Sequence, residues 1–106
     1  MAYRIVEERN ELGPDEFVEF RVHEVPRSAF FSEGIKYSMS YVRKGNCILR
    51  YDNERGKGHH KHFNGEESDT EFAEINTHMK KFLQEVAEIR RDFDETKGSH
   101  NYGQQP

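Results

Sequence analysis

Cysteine is almost absent: Cys47 is the only one, which excludes an intrachain disulfide framework and a thiolate zinc cluster. No run approaches the roughly 18–20 apolar residues that a membrane-spanning helix needs, so no membrane partner is expected. Met1 to Glu11 carries charges where a signal peptide would have its apolar stretch, and no signal peptide is expected. Hydrophobic residues are also scarce, 33% against 34% charged, where about 45–50% apolar is usual for globular domains. A chain of 106 residues therefore has room for one core. Chains of this size bury only about 60–68% of their unfolded surface, enough for about four or five elements. Internal repeats are missing, as are a Gly-Ser nucleotide loop and a carboxylate pair able to hold magnesium and a triphosphate. A small cytoplasmic domain is expected.

The net charge of −4 conceals a strong asymmetry. Residues 1–34 carry four Lys/Arg against eight Asp/Glu, residues 35–62 seven against two, and residues 63–106 five against ten. A basic island lies between two acidic flanks, and it also contains His59, His60 and His62. Such an island is suited to a polyanion. It is equally what results when acidic and basic segments neutralise each other in a fold.

Hydrophobic periodicity predicts an α+β domain over residues 1–93 and a polar, frayed tail over 94–106. Strands are expected near 3–11, 16–25, 35–42 and 47–53, an antiparallel meander of about four strands. Val18, Phe20 and Val22 alternate with Glu19, Arg21 and His23; Ile35, Tyr37, Met39 and Tyr41 alternate with Lys36, Ser38 and Ser40. Cys47, Leu49 and Tyr51 are expected on one face of the fourth strand, with Ile48, Arg50 and Asp52 on the other. Ala29-Phe30-Phe31 is expected to fold back onto the core. Asn53 to Glu67 reads as a loop, with a short strand extension through His60 to Phe63. Ser68-x-x-Glu71 matches a capping box, and Phe72, Ile75, Met79, Phe82, Val86, Ile89 and Phe93 form one apolar stripe. A helix over 69–93, packed on one face of the sheet, is expected from these two signals.

The unusual chemistry is concentrated between Arg50 and His62, where three histidines stand among four Lys/Arg, one tyrosine and two acids. Ile48-Leu49-Arg50-Tyr51-Asp52-Asn53 is followed by Gly56-Lys57-Gly58-His59-His60-Lys61-His62 and then by a capped helix. With the upstream Gly34-Ile35-Lys36-Tyr37-Ser38, this arrangement resembles the TumE family of toxins over about residues 3–93. The resemblance implies a small cytoplasmic toxin encoded beside a partner antitoxin protein. It does not define the reaction.

The residues themselves fit metal-free RNA cleavage, as many small toxins perform. Such a reaction needs a base for the ribose 2′-hydroxyl, an acid for the leaving 5′-oxygen and a cation on the phosphorane. Histidine suits the first two roles because its pKa lies near neutrality, and arginine suits the third. His60 and His62 would share a face of an extended chain, with Arg50 clamping phosphate and Asp52 orienting a histidine. Arg55, Lys57, Lys61 and His59 would hold the flanking RNA backbone, and Tyr51 would stack a base. Gly56 and Gly58 would let the chain approach phosphate closely.

Plainer assignments stand beside these. A histidine-rich loop is commonly just solvated, Tyr51 lies in register with core residues, and Cys47 reads as a small buried apolar group. His23 reads as inert and His78 as a residue at the edge of the stripe. Two other function classes stay open. One is a metal-dependent nuclease in which His59, His60 and His62 with Asp52 hold the ion, although H-H-x-H is not a common structural zinc spacing. The other is a module that binds nucleic acid or antitoxin and catalyses nothing. No cofactor is expected, and the sequence leaves a homodimer open.

Overall fold

The computed structural model describes residues 5–54, 56 and 58–95. Arg55, Lys57 and residues 96–106, which include most of the expected tail, lie outside the described residues. The chain divides after Glu71 into two compact units, the first holding a sheet and the second a helix. The α+β class and the antiparallel meander are as expected, but the sheet has six strands. They are β1 (Ile5–Gly13), β2 (Glu16–Glu24), β3 (Ile35–Arg43), β4 (Asn46–Asp52), β5 (His60–Phe63) and β6 (Glu66–Asp69), paired in chain order.

Period-two alternation sorts the side chains of β2, β3 and β4 onto two faces. Val18 pairs with Tyr41, which pairs with Leu49; Phe20 pairs with Met39, which pairs with Tyr51. All six are buried, and each apolar side chain removed from water contributes about 1.5–3 kcal/mol. Asn53 closes this face. It is 3% exposed, accepts a hydrogen bond from the Tyr37 amide at 2.8 Å and donates to the Ile35 carbonyl at 2.8 Å. β4 is thereby fastened to β3 beyond the last ladder pair. Tyr41 donates to Glu16, whose carboxylate also faces Arg43. Burial and this hydrogen bond push the Tyr41 phenol up to about 12.

Four expectations are corrected. First, Cys47 pairs with Val42 while Leu49 pairs with Tyr41, leaving Ile48 as an extra residue. This β-bulge turns Cys47 onto the face of Ser38 and Ser40, where it is exposed. Second, Phe30 is 69% exposed, because Ser28 Oγ accepts from the amides of Phe30 and Phe31 and holds a local turn. Phe30 lies against Gly56, where a Cβ would stand 2.9 Å from the Phe30 Cβ. The glycine is thus required by a neighbouring side chain and by its φ of +69°.

Third, the capping-box residues Ser68 and Asp69 belong to β6, where they pair with Lys61 and His60. The helix α1 (Ile75–Glu95) starts six residues later than expected. Glu74 caps it, its carboxylate accepting from the Thr77 amide and hydroxyl, both at 2.9 Å. These two bonds hold the Glu74 carboxyl below its ordinary range. Fourth, His78 is not at the edge of the stripe. It is 2% exposed and meets Phe72 edge-on, with 5.0 Å between ring centroids. Phe82, Val86 and Ile89 continue that buried side of the helix. Among the described residues no helix is long and apolar enough to cross a membrane.

Candidate active site on the polar face of the sheet

The side of the sheet opposite the tyrosines is polar, and its residues fall into two cross-strand rows. Ser40, Arg50, His62 and Glu67 are successive register partners, as are Ser38, Asp52, His60 and Asp69. Directly opposite residues share a face, so Arg50, Asp52, His60 and His62 form a two-by-two block across β4 and β5. The β5–β6 hairpin brings Glu67 and Asp69 beside the block. Its turn is Asn64-Gly65, with φ of +54° and +85°, the conformation that a tight two-residue hairpin requires.

Carboxylates surround the cations of this block. Arg50 Nε lies 2.7 Å from Asp52 Oδ2, and Arg50 Nη2 lies 2.5 Å from Glu54 Oε1. His62 Nε2 stands 3.6 Å from the same Asp52 oxygen. His60 Nδ1 is 3.2 Å from Glu67 Oε2 and 3.4 Å from Asp69 Oδ1. Despite these ion contacts, Arg50 Nε and His60 Nδ1 are buried without an aligned hydrogen bond. Such under-satisfied buried polar atoms are uncommon. Asp52 has a side chain only 8% exposed, so it is the fixed member, contacting both Arg50 and His62.

Glu54, Glu67 and Asp69 are members of the site that sequence reasoning did not single out. The sequence alone assigns Glu67 to a loop and Asp69 to a helix start. The Asn64-Gly65 pair, a strong hairpin signal, was the clue to their place. With these acids present, the basic island does not form an unopposed cationic surface here: its Arg50, His60 and His62 are matched by acids from β4, β6 and the segment after β4.

The other candidates do not converge on this block. Lys61 and Tyr51 are register partners on the opposite face; Tyr51 is 0% exposed, with no ring surface for a base, and the Lys61 ammonium lies 5.7 Å from the Phe63 ring centroid. His59 is also elsewhere: its Nδ1 meets the Tyr37 hydroxyl at 2.9 Å and its Nε2 meets Glu33 Oε2 at 3.2 Å. Burial pushes the Glu33 carboxyl up, but the hydrogen bond and charge of His59 outweigh it and hold the group below its ordinary range. Burial, reinforced by Asp52 and Glu33, raises the Tyr37 phenol strongly. The three histidines are therefore split between different partners, and among the described residues no three His, Cys, Asp or Glu side chains gather as a metal site.

Chemically, the block pairs two carboxylate-faced imidazoles with a guanidinium. On a strand rising about 3.3 Å per residue, the backbones of His60 and His62 are about 7 Å apart. A pocket of about 350 Å³ opens beside Arg50, Asp52 and His62.

A family model described as Toxin TumE matches residues 3–90. No curated protein and no solved structure matches the chain.

Proposed function

Because this chain belongs to the TumE toxin family, we propose that it acts in the cytoplasm as a small ribonuclease restrained by its antitoxin. A toxin of a toxin–antitoxin system implies a cognate antitoxin. The RNA-cutting reading rests on one observation, the block formed by Arg50, Asp52, His60 and His62 across β4 and β5. In the proposed reaction one imidazole takes the proton of a ribose 2′-hydroxyl, whose oxygen attacks the adjacent phosphorus. The other imidazole protonates the departing 5′-oxygen, giving a 2′,3′-cyclic phosphate and a free 5′-hydroxyl. Arg50 stabilises the charge of the phosphorane, and Asp52 orients His62 and Arg50. The antitoxin is the partner expected to mask this face.

The test is incubation of purified protein with RNA, with and without EDTA, followed by end mapping. Cleavage should persist in EDTA. His60→Ala and His62→Ala should each lower it by about 10²–10⁴-fold, with the fold preserved, since the backbone ladders to β4 and β6 hold β5 in place. Wild-type activity in both variants, or loss of cleavage in EDTA, overturns this mechanism.

A second reading, a non-catalytic binding module, draws on the carboxylates already facing Arg50 and the histidines. It is favoured if RNA or antitoxin binds and no RNA is cut.

A further inference from the structure

Beside the two-by-two block, the pocket continues past the chemistry. Arg50 and His62 line it together with Asp52 and Glu54, with Ile48 and Asn64 among the other lining residues. Ile48 is the bulge residue of β4 and is 8% exposed, so it supplies an apolar floor. Asn64 also lines the pocket and is exposed, and its backbone amide donates to the Ile48 carbonyl at 3.2 Å, which fixes the turn beside that floor. The volume of about 350 Å³ is at the lower end of the roughly 300–1,000 Å³ typical of small-molecule sites, which suits one nucleotide better than an oligomer. A strand step of two residues separates the Arg50 row from the Ile48 row by about 7 Å.

We propose that this pocket binds the single nucleotide on the 5′ side of the scissile phosphate, with its 3′-phosphate at Arg50 and His62 and its base over Ile48, read by Asn64. This rests on the RNA-cutting reading and names its substrate subsite. An apolar floor with one amide is the usual composition of a small-molecule site, in which a few polar groups set orientation and specificity. The Asn64 amide offers both a donor and an acceptor, as the hydrogen-bonding edge of an unpaired base requires. Asn64 occupies the left-handed region, and glycine is equally at ease there. Asn64→Gly therefore removes the amide and keeps the turn.

The experiment titrates the four ribonucleoside 3′-monophosphates, and inorganic phosphate, into isotope-labelled protein while following the Ile48 methyl and Asn64 amide resonances. At least one nucleotide should shift both resonances saturably, whereas phosphate alone should leave the Ile48 methyl in place. Asn64→Gly should weaken the preferred nucleotide by about 2- to 12-fold, the range of one net hydrogen bond, and flatten the ranking among the four. Asn64→Asp, which keeps the turn but loses the donor, should reorder that ranking. Nucleotide binding at Ile48 by a protein that cuts no RNA would remove the nuclease reading and leave the pocket assignment standing. RNA cleavage with an unmoved Ile48 methyl, and with the same base preference in Asn64→Gly as in wild type, would overturn the pocket assignment alone.

Discussion

On the proposed reading Glu54 competes with phosphate for Arg50, and its removal should strengthen RNA binding. The Glu54 carboxylate is 2.5 Å from Arg50 Nη2, and the two side chains are 35% and 38% exposed. An ion pair this exposed contributes about 0.2–1 kcal/mol, which Glu54→Gln would release. The same change removes repulsion between Glu54 and an incoming phosphate. At a separation of about 5 Å in water this repulsion is about 0.8 kcal/mol. Together the two effects amount to about 1–2 kcal/mol, or about 5- to 30-fold tighter binding at low salt. Asp52 remains to hold Arg50 at 2.7 Å, so the guanidinium keeps its place. Fluorescence anisotropy with a short labelled RNA measures the change, and the gain should shrink as salt is raised. In an Arg50→Ala background Glu54→Gln should gain only the lost repulsion, which a double-mutant cycle separates from the Arg50 contribution. Unchanged or weaker binding by Glu54→Gln at low salt would refute the placement of phosphate at Arg50.

Asn53→Ala should destabilise the sheet by about 2–6 kcal/mol in urea denaturation, because the Tyr37 amide and the Ile35 carbonyl lose their partner and each unsatisfied buried group costs about 1–3 kcal/mol. A loss below half of the lower figure would mean that water reaches both groups. Glu74→Gln should lower helix stability near neutral pH and have no effect in strong acid. The Glu74 carboxyl is held below its ordinary range by the Thr77 amide and hydroxyl, so its contribution is fully present above the unfolded carboxylate value. That contribution is lost as pH falls through the lowered folded value. Circular dichroism of both proteins across that acid window checks the sign; a difference that persists or grows in acid would reject Glu74 as the cap.

The strands of the meander were legible wherever the information was local. Val18, Phe20 and Val22, and then Tyr37, Met39 and Tyr41, announce a two-faced strand by alternation alone, because successive Cβ atoms point to opposite sides. The same rule placed Arg50 with Asp52, and His60 with His62, on common faces before any pairing was known. The helix was legible as a stripe, but its start was not. Ser68 and Asp69 fit a capping box and an edge strand equally well, and β5 decided between them by pairing with both. Only tertiary structure could bring the two pairs together, because register is a hydrogen-bonding relation between distant segments. The ladder between β4 and β5 aligned His62 with Arg50 and His60 with Asp52, and the Asn64-Gly65 hairpin delivered Glu67 and Asp69 to His60. Tertiary structure also separated what sequence proximity had joined. His59 is adjacent to His60 in the chain, yet its ring is held by Tyr37 and Glu33. One extra residue at Ile48 reversed the face of Cys47, because a period of two has no tolerance for a single insertion.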